Sequence, residues 1–157
     1  LNFGEVGEVI CKGETVMSGY WGNSKATAAT LQDGWLYTGD LGYLDQDGKL
    51  TLQGRSKEVI ISGGSNIYPI EVENALLTHP AVEEAAVVGQ KHDDWGEIVV
   101  AFICTTPGVS LKTDELDAHC NARIARFKRP KRYIFIDELP KNPTGKIIKR
   151  ELTELLE

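Results

Sequence analysis

A lysine near the C-terminal end is placed where it could bring one positive charge to a phosphate. Lys146 follows Gly145 at the end of Asn142–Lys146, a segment whose Asn, Pro and Gly residues predict a loop. Glycine lets a backbone come close to a ligand, and the long lysine side chain provides reach. The segment is not a P-loop, since Pro140 and Ile147 stand where that motif needs glycine and Ser or Thr.

Two other short segments could bind a ligand. Asp40 closes the segment Tyr37–Asp40, and a carboxylate at a strand end can accept two hydrogen bonds from a sugar diol. A plain strand end with a turn-forming Asp explains it equally well. Ser62–Asn66 contains Gly63 and Gly64 and predicts a small loop between a strand and a helix. Such loops admit a ligand, although an ordinary turn has the same composition.

Charge is distributed unevenly along the chain, whose net charge is -6. Residues 123–150 hold ten Lys or Arg and two acidic residues, whereas the remainder holds seven basic and 21 acidic residues. This segregation favours an anionic partner near the C-terminal end, with a solvated basic face as the alternative. The overall acidity and the lack of a nucleic-acid-binding motif argue against DNA or RNA.

Composition indicates an ordinary globular protein: 157 residues, 41% hydrophobic and 25% charged. No apolar run approaches the roughly 18 residues of a membrane span. Sparse cysteines without a C-x-x-C motif argue against a disulfide framework and predict a reducing, cytoplasmic location. We expect no metal site, because the histidines lack ligand spacing. The cysteines are Cys11, Cys104 and Cys120, and the histidines are His79, His92 and His119.

The elements that must position these residues form a β-rich part and then an α+β part. The first part holds a strand at 6–11, a helix at 24–31 with Asn23 or Ser24 as N-cap, and a strand at 35–37. A hairpin follows, with strands at 41–44 and 49–52 around a turn at 45–48. The second holds strands at 59–61, 81–89, 98–104 and 133–136. Its helices are predicted at 69–78, at 113–123 with Thr113 as N-cap, and at 149–156.

Four blocks, taken in order, resemble motifs of the adenylate-forming acyl-CoA synthetases, which include acyl- and aryl-CoA ligases, luciferase and peptide-synthetase adenylation domains. Any one block is a weak signal, but four at compatible spacing are a strong one. They are Gly7–Thr27 (G-E-V, then G-Y and T), Tyr37–Asp40 (T-G-D), Gly54–Glu73 (G-R-x-K, then G-x-x-I-x-P-x-E-V-E) and Pro140–Arg150 (P-x-x-x-x-G-K-x-x-x-R).

The resemblance implies roles in forming an acyl-adenylate from a carboxylic acid and ATP. Asp40 would bind both ribose hydroxyls, and Arg55 would contact the ribose and a phosphate. Lys146 would be the catalytic lysine, which stabilises charge while the carboxylate attacks the α-phosphorus. Lys57 would be the hinge about which the C-terminal domain turns before CoA reacts.

The resemblance also implies a CoA site. Gly64 and Trp95 would line the path of the pantetheine arm, Phe127 would stack on adenine, and Arg129 and Lys131 would meet phosphates. Core packing remains an alternative for the two aromatic residues, and a solvated surface for the two cations.

The implied fold is α+β: residues 55–157 form a C-terminal lid domain with a small mixed sheet flanked by helices. Residues 1–54 form the β-rich tail of a large N-terminal AMP-binding domain. The chain is then expected to be a fragment, inactive alone, whose upstream domain supplies the acid pocket and the Mg²⁺ site. The run from Phe127 to Pro140 resembles CoA ligases more than peptide-synthetase adenylation domains, the enzymatic alternative. A non-enzymatic CoA- or nucleotide-binding module is the third hypothesis.

Overall fold

A computed structural model describes all residues, 1–157, and the chain forms two compact units, Leu1–Lys57 and Glu58–Glu157. The division lies three residues beyond the boundary of 54 and 55 expected from sequence. No helix is long and apolar enough to cross a membrane.

The first unit is a four-stranded antiparallel sheet. Its strands are β1 (Gly7–Cys11), β2 (Leu31–Gln32), β3 (Trp35–Leu44) and β4 (Leu50–Arg55), and β3 pairs with each of the other three. A short helix, α1 (Ser24–Thr30), precedes β2. Asn23 is its N-cap, since the Asn23 side chain accepts the Ala26 N–H at 2.9 Å.

Strand β3 corrects one expectation, because Asp40 lies inside it and not at a strand end. The sequence predicted separate strands at 35–37 and 41–44. The strand continues through Gly39, which adopts a φ of +71° that other residues avoid, and its pairing with β4 shifts between Leu41 and Gly42. The predicted hairpin around 45–48 is confirmed as the β3–β4 connection.

The second unit is a five-stranded mixed sheet. A small mixed sheet is what the resemblance implied, but the sequence predicted only four of the strands and not the short one at Ser65–Ile67. Four strands are antiparallel in the order β6-β5-β8-β7, and a fifth, β9, runs parallel to β8. The strands are β5 (Ile60–Ser62), β6 (Ser65–Ile67), β7 (Val82–His92), β8 (Gly96–Thr105) and β9 (Arg132–Phe135).

Three helices cover the two faces of this sheet. They are α2 (Pro69–Leu77), α3 (Thr113–Asn121) and α4 (Lys149–Glu154). One core cluster joins Val87 and Ala101 to Leu76 of α2 and Leu116 of α3. The opposite cluster joins Val88, Val100 and Phe102 to Leu139 and to Leu152 of α4. Because both faces are covered, β7 and β8 read as nearly continuous apolar runs.

Two local predictions in the second unit are wrong. The Gly63-Gly64 segment connects strands β5 and β6, so it is a hairpin turn and not a strand-to-helix loop. Its φ values of +56° and +78° are those of a type I′ turn, which matches the twist of a two-residue hairpin. Thr113 is the first residue of α3; Lys112 is the N-cap and no side chain caps the helix.

Candidate functional site

Lys146 lies at the end of an ordered loop. An isolated antiparallel bridge pairs Lys141 with Ile147, and the Asn142 N–H donates to the Lys146 carbonyl at 2.9 Å. The Lys146 side chain is exposed and makes no hydrogen bond or ion pair within the chain. The loop therefore presents a free ammonium group on a defined backbone.

Asn142 organises this loop and was not singled out from sequence. Its side-chain oxygen accepts three hydrogen bonds: from the Thr144 N–H at 3.0 Å, the Thr144 hydroxyl at 2.8 Å and the Lys146 N–H at 2.9 Å. Gly145 sits at a φ of +81° inside the turn so formed. An Asn two residues before a turn amide is the signal that could have found it, because Asn side chains mimic a backbone turn.

Asp40 and Arg55 are cross-strand neighbours in the first unit. The Arg55 Nε donates to Asp40 Oδ1 at 2.8 Å, and an Arg55 terminal nitrogen donates to the Thr38 carbonyl at 3.2 Å. The second Asp40 oxygen makes no hydrogen bond within the chain, and its side chain is one-third exposed. A carboxylate fixed through one oxygen and open at the other suits a hydroxyl-bearing ligand.

Gly64 and Trp95 lie in two neighbouring hairpin turns, the first between β5 and β6 and the second between β7 and β8. The Gly63 N–H donates to the Trp95 carbonyl at 2.9 Å, and a Cβ on Gly63 would come within 2.8 Å of the indole ring. A Cβ on Gly64 would meet nothing within 4 Å, so that position faces open space. Trp95 is 53% exposed and therefore is not a core residue.

Glu97 holds the strand that leads into the first of these turns. Strand β5 pairs with β8 only at Ser62 and Gly96, so the N–H of the preceding residue, Ile61, lacks a backbone partner in β8. The Glu97 carboxylate accepts that Ile61 N–H at 2.8 Å. The Glu97 side chain therefore replaces a missing backbone hydrogen bond between β5 and β8, and no sequence motif predicts this contact.

The three residues expected around the CoA nucleotide differ in exposure and in whether their side chains have partners within the chain. Phe127 is half exposed in a 3₁₀ turn at Arg126–Lys128, so it too lies outside the core. Lys131 is exposed, and its side chain has no partner within the chain. Arg129 is mostly buried, donates to Asp117 Oδ2 at 2.7 Å, and has its Nε buried without a hydrogen-bond partner. The solvated-surface alternative is therefore wrong for Arg129.

Burial near Arg129 keeps two further groups neutral. It raises the pKa of the Tyr133 hydroxyl and of the Cys120 thiol, and the Tyr133 hydroxyl is buried without a hydrogen-bond partner. A buried thiol of raised pKa is a poor nucleophile. This cluster is thus a structural element behind Arg129.

Half of the positive charge in the C-terminal segment is neutralised inside the chain. Five of its ten cations pair with carboxylates, so the free positive charge is much smaller than the count suggests. The pairs are Lys128–Glu71, Arg129–Asp117, Lys141–Glu84, Lys149 with Glu58 and Glu73, and Arg150–Glu154. The unpaired cations are Arg123, Arg126, Lys131, Arg132 and Lys146.

Lys57, the expected hinge, is exposed in a 3₁₀ turn at Ser56–Glu58. It is the last residue of the first unit.

Comparison with known proteins gives a match to a family model and matches to curated enzymes. The model of the AMP-binding enzyme C-terminal domain matches residues 71–146, which run from the start of α2 to Lys146. The 2-succinylbenzoate–CoA ligase of Geobacillus kaustophilus (strain HTA426) is 47% identical over 97% of this chain. The long-chain-fatty-acid–CoA ligase of Bacillus subtilis (strain 168) is 49% identical over 96% of it.

A solved structure gives the same result. The o-succinylbenzoate CoA synthetase of Bacillus subtilis, in complex with an acyl-adenylate intermediate, superposes with a TM-score of 0.91 at 43% identity over 97% of this chain. The chain spans about a third of the length of these relatives, 31%, 27% and 31% in turn. The resemblance drawn from the four motifs is confirmed: the chain matches the C-terminal part of an adenylate-forming acyl- or aryl-CoA ligase.

Proposed function

We propose that this chain supplies the C-terminal part of an ATP-dependent acyl-CoA ligase. Such an enzyme converts a carboxylic acid and ATP into acyl-AMP and pyrophosphate, and CoA then displaces AMP to give acyl-CoA. The free ammonium of Lys146 on an ordered loop, at the end of an AMP-binding enzyme C-terminal domain, carries the proposal. Aryl- and fatty-acid ligases match at nearly equal identity, so the substrate is proposed as a carboxylic acid of either kind.

In the first half-reaction, Lys146 meets the negative charge that develops as the carboxylate attacks the α-phosphorus and pyrophosphate leaves. It acts as a positioned cation and stays protonated, because its task is electrostatic. Asp40 accepts hydrogen bonds from the ribose hydroxyls through its free oxygen. Arg55, held by Asp40, contacts the ribose and the neighbouring phosphate.

In the second half-reaction, the domain turns at Lys57 and the CoA thiol attacks the acyl carbon, releasing AMP. Gly64 leaves open space for the pantetheine arm, and the exposed face of Trp95 lies beside the same turn. Phe127 stacks on the adenine, and Lys131 binds a CoA phosphate. Arg129 meets a CoA phosphate through the guanidinium N–H groups that do not donate to Asp117.

Magnesium, which the family implies, has no set of ligands in these 157 residues. No group of three or more His, Cys, Asp or Glu side chains could hold a metal ion. The magnesium site is therefore proposed to lie in the remainder of the enzyme.

A chimera tests the proposal. The chain replaces the matching third of the Bacillus subtilis o-succinylbenzoate CoA synthetase, and pyrophosphate release and thioester formation are measured separately. We expect both activities from the parent chimera. Lys146→Ala should slow pyrophosphate release at least about a hundredfold, because a preorganised charge at the transferred phosphoryl group is lost.

Lys112→Ala is the matched control, since Lys112 is also exposed and its side chain caps nothing. It should keep the parent rate. Pyrophosphate release by Lys146→Ala at the parent rate would refute the catalytic role. Tight CoA binding by the isolated chain, with an inactive chimera, would favour the non-enzymatic binding module.

A further inference from the structure

Ion pairs hold the backbone on both sides of the two residues Ser56 and Lys57. On the N-terminal side, Arg55 is bound to Asp40 and to the Thr38 carbonyl, all within the first unit. On the C-terminal side, the Glu58 carboxylate lies 3.2 Å from the Lys149 ammonium within the second unit. Only Ser56 and Lys57 lie between these anchors.

Lys149 is itself firmly placed. Its ammonium lies 2.7 Å from Glu73 Oε1, and the same oxygen accepts the Val87 N–H at 2.9 Å. The side chains of Lys149 and Glu73 are 21% and 17% exposed. Charges so far removed from water are stable only as a pair, so Lys149 cannot leave Glu73 without a large penalty. Lys149 thus joins Glu58 to α2 and β7.

Lys149 also begins α4, three residues after Lys146. One side chain therefore ties together the residue that follows the expected hinge and the segment that carries the expected catalytic lysine.

We propose that Lys149 is a positioning residue that fixes Glu58 to the second unit, so that rotation at the hinge is confined to Ser56 and Lys57. The proposal rests on the proposed function for its consequence, since a sharp pivot returns Lys146 to the same place in every cycle. Without the Lys149–Glu58 pair, the residues that can rotate extend beyond Lys57 to Glu58 and Val59. More conformers then compete with the reactive one, and small misplacements of a catalytic group are costly.

Backbone dynamics in the 157-residue chain test the clamp directly. We expect ¹⁵N order parameters that dip at Ser56 and Lys57 and return to about 0.85 at Glu58. Glu58→Gln, which leaves the Lys149–Glu73 pair intact and so preserves the fold, should lower the order parameter at residue 58 to about 0.6 or less. Lys149→Met should do the same, and Lys149→Arg should restore the parent value. Lys91→Met, at an exposed lysine, is the control.

An unchanged order parameter at residue 58 in both Glu58→Gln and Lys149→Met would overturn the proposal. So would a parent chain in which Ser56 and Lys57 are as rigid as Glu58.

The chimera gives the consequence for catalysis. Glu58→Gln should slow pyrophosphate release roughly tenfold, because Lys146 is then misplaced more often, while the KM for the carboxylic acid stays at the parent value. Parent rates for both half-reactions in Glu58→Gln would overturn the positioning role. An inactive parent chimera would instead count against the proposed function, and the order parameters would still decide on Lys149.

Discussion

The two units of this chain use their apolar side chains in opposite ways. Every buried hydrophobic residue lies in the second unit, between Ile60 and Leu152. In the first unit only Gly42 is buried, and nine large hydrophobic side chains are exposed, among them a fully exposed Trp21. The second unit therefore has a core of its own, whereas the first is a sheet without one.

This difference separates what each unit can do alone. Apolar burial is the main favourable term in folding, so about 100 residues with two packed sheet faces can be stable. A four-stranded sheet whose apolar residues stay in water gains little from forming. We infer that the second unit sets the stability of the chain.

The largest expected contrast concerns the thiols. Cys104 and Cys120 are buried in the second unit, where burial raises the pKa of both, whereas Cys11 is exposed in the first. With DTNB at pH 7.5, Cys11 should react at once. The other two should react only through global opening, slower by at least about a thousandfold for a domain stable by 5–15 kcal/mol.

Mass spectrometry of the modified chain, with Cys11→Ser as control, assigns each phase. Rapid labelling of Cys104 or Cys120 in the native chain would show that the second unit lacks a closed core.

A pair of core and surface truncations should differ almost as much. Phe102 is 1% exposed at the centre of β8, and Phe102→Ala should lower the free energy of unfolding by about 3–5 kcal/mol. Leu52 in β4 is 52% exposed, and Leu52→Ala should change it by no more than about 0.5 kcal/mol. Urea unfolding followed by far-UV circular dichroism measures both. Similar losses from the two variants would mean that the first unit also contributes a core.

The same contrast explains which strands and helices could be predicted from the sequence alone. In the second unit, strands β7 and β8 and helix α2 were predicted because apolar periodicity and Pro69 reflect burial on both sheet faces. In the first unit, β3 was predicted in two pieces because Gly39 breaks the pattern, and only pairing with β4 shows that the strand continues. Strand β6 was missed because Ser65-Asn66 carries no strand signal.

The candidate site follows the same logic. The exposed Lys146 and the turn at Gly64 were predictable, because loop composition is local. The Arg129–Asp117 and Lys149–Glu58 pairs were not, because they depend on elements brought together only by the fold. Charge counting therefore overstated the free positive charge.

A smaller effect is expected at Glu97, where strands β5 and β8 of the second unit pair at a single position. Glu97→Ala removes the acceptor of the Ile61 N–H, but water can replace it because Ile61 is 55% exposed. The loss of unfolding free energy should be about 0.5–1.5 kcal/mol. Glu97→Gln keeps an acceptor oxygen and should recover most of it. Hydrogen exchange at the Ile61 amide checks the cause, since only Glu97→Ala should accelerate it.

The smallest effect is a pH dependence at the contact of α2 and α3. His119 Nε2 lies 2.8 Å from the Thr78 hydroxyl and 3.1 Å from the Ala75 carbonyl. Burial, and then the charge of Arg123, lowers the pKa of His119 below its ordinary 6.5. As the pH falls through 6.5, the unfolded chain therefore binds a proton that the folded chain still rejects, and stability declines until the folded-state pKa is passed.

Urea unfolding at pH 7.5 and pH 5.5 measures this decline, which carboxylates in other parts of the chain share. His119→Gln should reduce the difference between the two pH values, because the titrating ring is gone. His92→Gln, at a histidine outside this helix contact, should leave the difference at the parent value. If His119→Gln and the parent lose equal stability on acidification, the α2–α3 contact is not the source, and the acid sensitivity of the second unit lies in its ion pairs instead.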